Sequence, residues 1–328
     1  MNTSAYLIRR IIYAVPVLFG VAVIIFFLFF VYAGGAENIA RQVLGPKAPR
    51  EAIFEWIENK GLNKPLWFNQ KAEGPNKLKD TLFYDHMKSL FTFNFGKSWQ
   101  DDRDIFGKII ERAPASLAIA IPEFILSFFI AIIFSLYFAF FRGTAIDRIG
   151  TIICVAMMSI SILIYIIAGQ LIFAIIFKWF PVSGFAPFPL GFRFLPLPIL
   201  VGVLAGFGGS VRFGRTIMLE EIGKEYVRSA RARGIPETSI LGRHVLRNAL
   251  IPLLTSAILS LPLLVLGSLL IENFYGIPGL GSMGIESIQA NDFMELRALT
   301  FLTAILYQIG LILTDLSYTF VDPRVRLR

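Results

Sequence analysis

Residues Ile11 to Ala33 form an almost wholly apolar run that follows Arg9 and Arg10. About 23 such residues are enough to cross a bilayer as a helix, whereas the apolar core of a cleavable signal is about 7–15 residues. Residues 1–33 therefore read as a cytoplasmic N-terminus and an uncleaved first span. Five more apolar runs follow, at about Ala115 to Phe141, Ile149 to Phe177, Leu195 to beyond Arg212, Asn248 to Asn273 and Arg297 to Phe320. Lipid offers no hydrogen bonds, so each run must satisfy its own backbone and is helical. The expected fold class is an all-α polytopic membrane protein with six transmembrane helices.

Composition excludes several other classes. The chain is 55% hydrophobic and only 16% charged, against about 25% charged for a soluble domain. Its net charge of +8 sits largely beside apolar runs, where the positive-inside rule explains it, so the partner is a lipid bilayer and not nucleic acid. Cys154 is the lone cysteine and lies in an apolar run, and His86 and His244 are far apart. No disulfide framework, metal site or catalytic residue is expected. Gly96-Lys97-Ser98 would end a phosphate-binding loop only if a glycine stood five residues earlier; that residue is Phe91. The chain carries no cofactor motif of its own.

Residues 34–112 hold 13 Lys/Arg and 11 Asp/Glu, and loops this long translocate largely regardless of charge. This segment is expected to be an external loop. Within it, Glu51 to Lys60 has the pattern of an amphipathic helix ending at Gly61, Lys71 to Lys79 reads as a flexible insertion, and Tyr84 to Phe95 as an interfacial stretch. Residues 113–328 form a five-span core. Arg9 and Arg10, Arg142 and Arg148, the loop 214–248 and the tail with Arg324 and Arg326 all fall on one side, the cytoplasm. Glu123 is an ionisable residue inside span two, a functional candidate by default, and Asp315 reads as an inward-facing polar contact. Gly202, Gly206, Gly208, Gly209 and Ser210 in span four suit close helix packing more than a pathway. Pro252 and Pro262 are expected to kink span five.

The polar stretch from Glu225 to Pro252 stands out between apolar runs. Its first half has helical periodicity, with Ile222, Tyr226 and Ala230 on one face and Lys224, Arg228 and Arg231 on another. Gly234 permits a left-handed turn and Pro236 suits the start of a second short helix. On spacing alone this is either a basic loop that only sets topology or a slim docking element.

Ser229-Ala230-x-Ala232-x-Gly234, followed by Arg243-His244-x-Leu246-Arg247-Asn248-Ala249-x-x-Pro252, resembles the EAA loop of ABC-importer permeases. More narrowly it resembles the dipeptide/oligopeptide/nickel branch. The Glu that names the general motif falls on Arg228, as is common in this branch. Gly61-Leu62-Asn63-Lys64-Pro65-Leu66, Phe95-Gly96-Lys97-Ser98, Phe180 to Phe185, Pro278-Gly279-Leu280-Gly281, Ala290-x-Asp292-Phe293 and Asp322-Pro323-Arg324 are similar to the same family. Ser161-x-Leu163-x-Tyr165 departs from a family Ser-x-Pro-x-aromatic signature, so a proline kink there is not expected.

The resemblance implies a type I importer permease in the bacterial cytoplasmic (inner) membrane, both termini cytoplasmic. It implies that Glu225, Tyr226, Arg228, Ser229, Ala230, Arg231, Ala232, Arg233 and Gly234 form an ATPase-coupling loop, supported by Arg243, His244, Arg247, Asn248 and Pro252. Glu272, Pro278, Gly279, Gly281 and Asp292 are candidates for an external gate or binding-protein contact. The implied partners are a homologous second permease, two ATPase subunits that use ATP and magnesium, and an extracytoplasmic solute-binding protein. The alternatives are a secondary transporter, for which Glu123 would be the coupling acid, and an intramembrane enzyme, for which the sequence holds no His-Glu-x-x-His motif.

Overall fold

The computed structural model describes residues 3–70, 73–186 and 190–321; Lys71 and the tail Asp322 to Arg326, both singled out above, lie outside them. The chain divides into two compact units. Unit one is chiefly Met1–Ala113 with Met283–Ile309, and unit two is Pro114–Ser282 with Gly310–Arg326.

In unit one, α1 (Thr3–Phe26) passes into a π-helical turn, Phe27–Tyr32. Four helices follow: α2 (Gly35–Leu44), α3 (Arg50–Asn59), α4 (Asn76–Lys79) and α5 (Leu82–Phe91). The amphipathic helix expected at 51–60 is α3, and its Ile53 and Ile57 are buried in a core with Phe26, Phe30, Ile39 and Leu82. The first half of the long loop is thus a packed domain, not a connector. Thr81 caps α5 by accepting from the Tyr84 N–H, as the N-cap preference for hydroxyls predicts.

The remaining helices are α6 (Ile105–Phe140), α7 (Ala145–Met158), α8 (Ile162–Gly169) with a π-helical continuation at Gln170–Ile176, and α9 (Pro196–Ile222). Then come α10 (Glu225–Ala232), α11 (Glu237–Ser239), α12 (Leu246–Leu264), α13 (Leu269–Tyr275), α14 (Leu280–Gln289) and α15 (Phe293–Val321). Among the described residues, five helices are long and apolar enough to cross a membrane, and α7 with α8 makes a sixth if the pair crosses as one, bent by 92°. With no strand among the described residues, the all-helical polytopic fold class follows.

Contact order within unit two decides the sixth crossing. Gly202 of α9 packs on Glu123 of α6, Phe207 lies on Phe134 (ring centroids 5.1 Å apart), and Gly214 meets Ser135. Both sequences ascend together, so α6 and α9 are parallel. The bent pair runs the other way along α9. Asp147 binds Arg215 (2.6 Å), Cys154 meets Gly208, and Gly169 meets Leu197 and Val201. Eighteen residues of α9, about 27 Å, are therefore covered in reverse by α7 and α8. Two parallel spans need one return crossing between them, and the bent pair supplies it.

Three expectations need correction. The helix that carries span two starts before its apolar run: α6 is helical from Ile105 and carries Pro114 and Pro122 inside it. Span three bends sharply although Leu163 stands where a proline was looked for. The break is sustained by side chains: the Tyr165 hydroxyl donates to the Met157 carbonyl (2.9 Å), Ser159 donates to that of Val155, and Ser161 caps α8. Ser161 satisfies an N–H that the break would orphan in lipid, while the other two hydroxyls add second bonds to carbonyls that already accept from the Ile160 and Ser159 N–H groups. Span five is not an Asn248 to Asn273 helix. It is continuous from Glu237 through a π-helical turn at Ile240–Val245 to Leu264, passing Pro252 without a break, and α13 is separate.

Two outcomes are expected. A Cβ at Gly208 would collide with the Cys154 carbonyl oxygen, while one at Gly209 would meet nothing within 4 Å. Gly208→Val should cost about 1–3 kcal/mol through overpacking and lower the melting temperature of the detergent-purified chain; Gly209→Val should leave it nearly unchanged. In unit one, burial and then the nearby Arg297 hold the His86 pKa down to about 3 from 6.5. The unfolded ring takes a proton below about pH 6.5 and the folded ring does not, so stability is full above that pH and falls from there toward pH 3. Melting temperatures measured between pH 7.5 and pH 5 should fall, and less steeply in His86→Gln.

Candidate functional site

The end of α9 sets up the polar stretch. Glu221, buried, accepts from the Tyr226 hydroxyl (2.8 Å) and pairs with Lys224 (2.5 Å), which pins the Gly223–Lys224 corner between α9 and α10. Burial pushes the Tyr226 pKa up, so the phenol keeps its proton and donates. Val227 and Ala230 of α10 bury into a cluster with Met218, Ile222, Ile240, Leu241 and Val245. The opposite face, Glu225, Arg228, Ser229, Ala232 and Arg233, is exposed at the spacing one helix side requires.

The turn that ends α10 is a Schellman motif. The Ile235 N–H reaches the Ala230 carbonyl (3.3 Å) and the Gly234 N–H that of Arg231 (2.9 Å), with Gly234 at φ +75°. Only glycine takes that conformation without strain. Arg231 folds back as a two-pronged partner of Glu237 (2.6 and 3.0 Å), locking the turn to the start of α11. Arg228, Arg233, Arg243 and Arg247 are exposed and unpaired among the described residues. The outcome is a narrow, rigidly backed, basic surface with small residues along its centre.

Ala230 is the exception among the proposed contact residues. It is 8% exposed and faces the chain's own core, as its periodicity with Ile222 predicted. In the supporting segment, His244, Asn248 and Pro252 are half-buried. Asn248 donates to the His244 carbonyl (3.0 Å).

The proposed external contacts differ in their exposure within this chain. Glu272, Gly279, Gly281 and Asp292 are buried and only Pro278 is exposed. Glu272 accepts from the Ser282 N–H (3.0 Å), and a Cβ at Gly267, Gly279 or Gly281 would strike its carboxylate. These glycines are the space the carboxylate fills, and Ser116 accepts from the Leu280 N–H (2.8 Å) beside them. Asp292 belongs to the other unit, where it caps α15 and accepts from Ser98 (2.6 Å) and the Trp99 N–H (2.8 Å). Within the chain these contacts hold the local backbone in place. The turn at Phe180 to Phe185 is tied down likewise: the Gly184 N–H donates to the Tyr275 carbonyl (2.7 Å), and Gln170 donates to Val182 and Phe274.

Sequence reasoning missed a cavity of about 210 Å³ in unit two, walled by α6, α9 and α12. Phe124, Phe128 and Phe213 give it apolar sides, and Ser127, Ser210, Ser256 and Ser260 supply hydroxyls. The Ser256–Ser260 spacing was the available sign. Glu123, one turn from Ser127 on the same stripe, lies against Gly202. The Asp147–Arg215 pair, 68 residues apart, left no local sign.

Comparison with known proteins supports the same reading. Residues 113–327 match the family of binding-protein-dependent transport system inner membrane components, and residues 3–120 match its N-terminal counterpart. A putative peptide transport system permease protein of Brucella abortus is 30% identical, over 98% of this chain and 99% of its own length. An oligopeptide transport system permease protein of Bacillus subtilis is 27% identical and a dipeptide transport system permease protein of Lactococcus lactis 28%, each over 98% of this chain and 99% of its own. The chain belongs to the family of inner membrane components of binding-protein-dependent transport systems, and is a multi-pass permease subunit of an ABC transporter.

Proposed function

We propose that the chain is one half of the translocation path of an ATP-driven peptide importer in the bacterial cytoplasmic membrane. The observation that carries this is the exposed face of α10, small and basic, held rigid by Glu221, Tyr226, Arg231 and Glu237. A loop that only set topology would need the charges but not the brace. The face suits a cleft on an ATPase subunit, and two such subunits would use ATP and magnesium there. A homologous second permease would complete the path, and an extracytoplasmic binding protein would deliver cargo. Peptides are the cargo named for the relatives above. The cavity of α6, α9 and α12 supports that reading. Hydroxyls on apolar walls can serve backbone amides of varied sequence without demanding one side-chain charge.

The docking test uses Ala232 in place of the buried Ala230. Ala232→Glu and Ser229→Glu put a charge on the exposed face and leave the core intact. An unpaired charge buried on docking costs about 3 kcal/mol or more, a loss of roughly 100-fold in affinity. Normal membrane levels, little co-purified ATPase and lost uptake of labelled peptide are expected. Wild-type uptake in both variants would refute the coupling role.

Orientation is tested separately. Once the buried Cys154 is replaced, a cysteine at the exposed Lys88 should react with an impermeant reagent from outside, and one at the exposed Arg233 only from inside. The reverse pattern would overturn import.

A further inference from the structure

Unit one contains a polar cavity of about 450 Å³ that the transport reading does not use. Arg297, in the second turn of α15, forms part of its wall and is only 4% exposed. Its guanidinium donates to His86 Nδ1 (3.2 Å) and to the Phe95 carbonyl (3.3 Å). Its Nε has no hydrogen-bond partner among the described residues, and no carboxylate there pairs with it. Two of five donors are used, and the positive charge is uncompensated.

His86 does not compensate it. The Ala22 carbonyl can only accept, so the 3.0 Å contact fixes the proton on Nε2 and leaves Nδ1 as the acceptor for Arg297. The ring is neutral at physiological pH.

The other charges around the cavity cancel in pairs. Lys60 binds Asp102 (2.8 Å), and Lys64 binds Asp85 (2.7 Å) and, outside the cavity wall, Asp80 (3.1 Å). Lys97, exposed at the rim, has no ion pair among the described residues. Counting only the residues that line it, Arg297 within and Lys97 at the mouth therefore leave the cavity wall two charges positive. A buried guanidinium without a counter-charge is strongly unfavourable, and its planar fork is shaped for oxyanions.

Location narrows the anion. Phe30, also in the wall, lies near the end of the span Ile8–Tyr32, and Arg297 lies near the start of the span Phe293–Leu316. Both are span ends, the depth at which a bilayer presents phosphate groups. We propose that this cavity is a binding site for a phosphate-class oxyanion, held by Arg297 and Lys97, supplied as free inorganic phosphate or as the headgroup of an anionic phospholipid.

The test is a thermal melt of the full chain, purified in non-ionic detergent with whatever subunits accompany it. Inorganic phosphate is compared with chloride at matched ionic strength, and phosphatidylglycerol with phosphatidylcholine. Binding to the folded state alone raises the melting temperature with ligand concentration. A saturable rise of a few degrees with phosphate identifies the free ion; a rise with phosphatidylglycerol only identifies the lipid. Lys97→Gln, exposed and outside any ion pair, should fold normally and need about tenfold more ligand for the same rise. Arg297→Gln, if it folds, should lose the response. No rise with either ligand, or an identical response in Lys97→Gln, overturns the proposal.

Discussion

Helices in lipid gain nothing by hiding apolar surface from one another, so they hold together through close backbone approach and polar contacts. The seam between α6 and α9 is that kind of contact. Gly202 and Gly214 lie against Glu123 and Ser135, and the Ser135 hydroxyl donates to the Val211 carbonyl (2.9 Å). Because the seam is parallel, the chain must return between its two halves, and the Asp147–Arg215 pair fixes where that return begins. The cavity lies along the same helices, and α10 continues from the end of α9. The rest of unit two is arranged around this one contact.

Much of this was visible in the residues, and the failures are physically specific. Hydropathy marks where a chain is in lipid, not where a helix starts. It located every span yet placed the start of span five at Asn248, while the helix is already formed at Glu237. The bend between α7 and α8 was discounted for want of a proline. A hydroxyl from Tyr165 ties the two arms together by donating to the Met157 carbonyl eight residues back, and no local pattern announces such a contact.

The two candidate sites fared differently for a related reason. For α10, two signals disagreed over Ala230. Small size pointed toward a partner, while its step from Ile222 and Tyr226 pointed inward, and the core contact sides with periodicity. For Glu272, the glycines and prolines around it read as the tight turns of a structured external loop. The glycines also leave the space that the carboxylate fills, a packing that composition alone does not show.

One consequence follows from the unbroken helix between Glu237 and Leu264. Its first turns share a hydrophobic cluster with α10, and its later turns carry Ser256 and Ser260. A helix of this length is about 42 Å long and stiff along its axis. It is a lever: a tilt of about 5° at the polar end would sweep the far end through roughly 4 Å, more than the width of a water molecule. Such a tilt would carry Ser256 and Ser260, in the wall of the cavity, through about 2.5–3 Å.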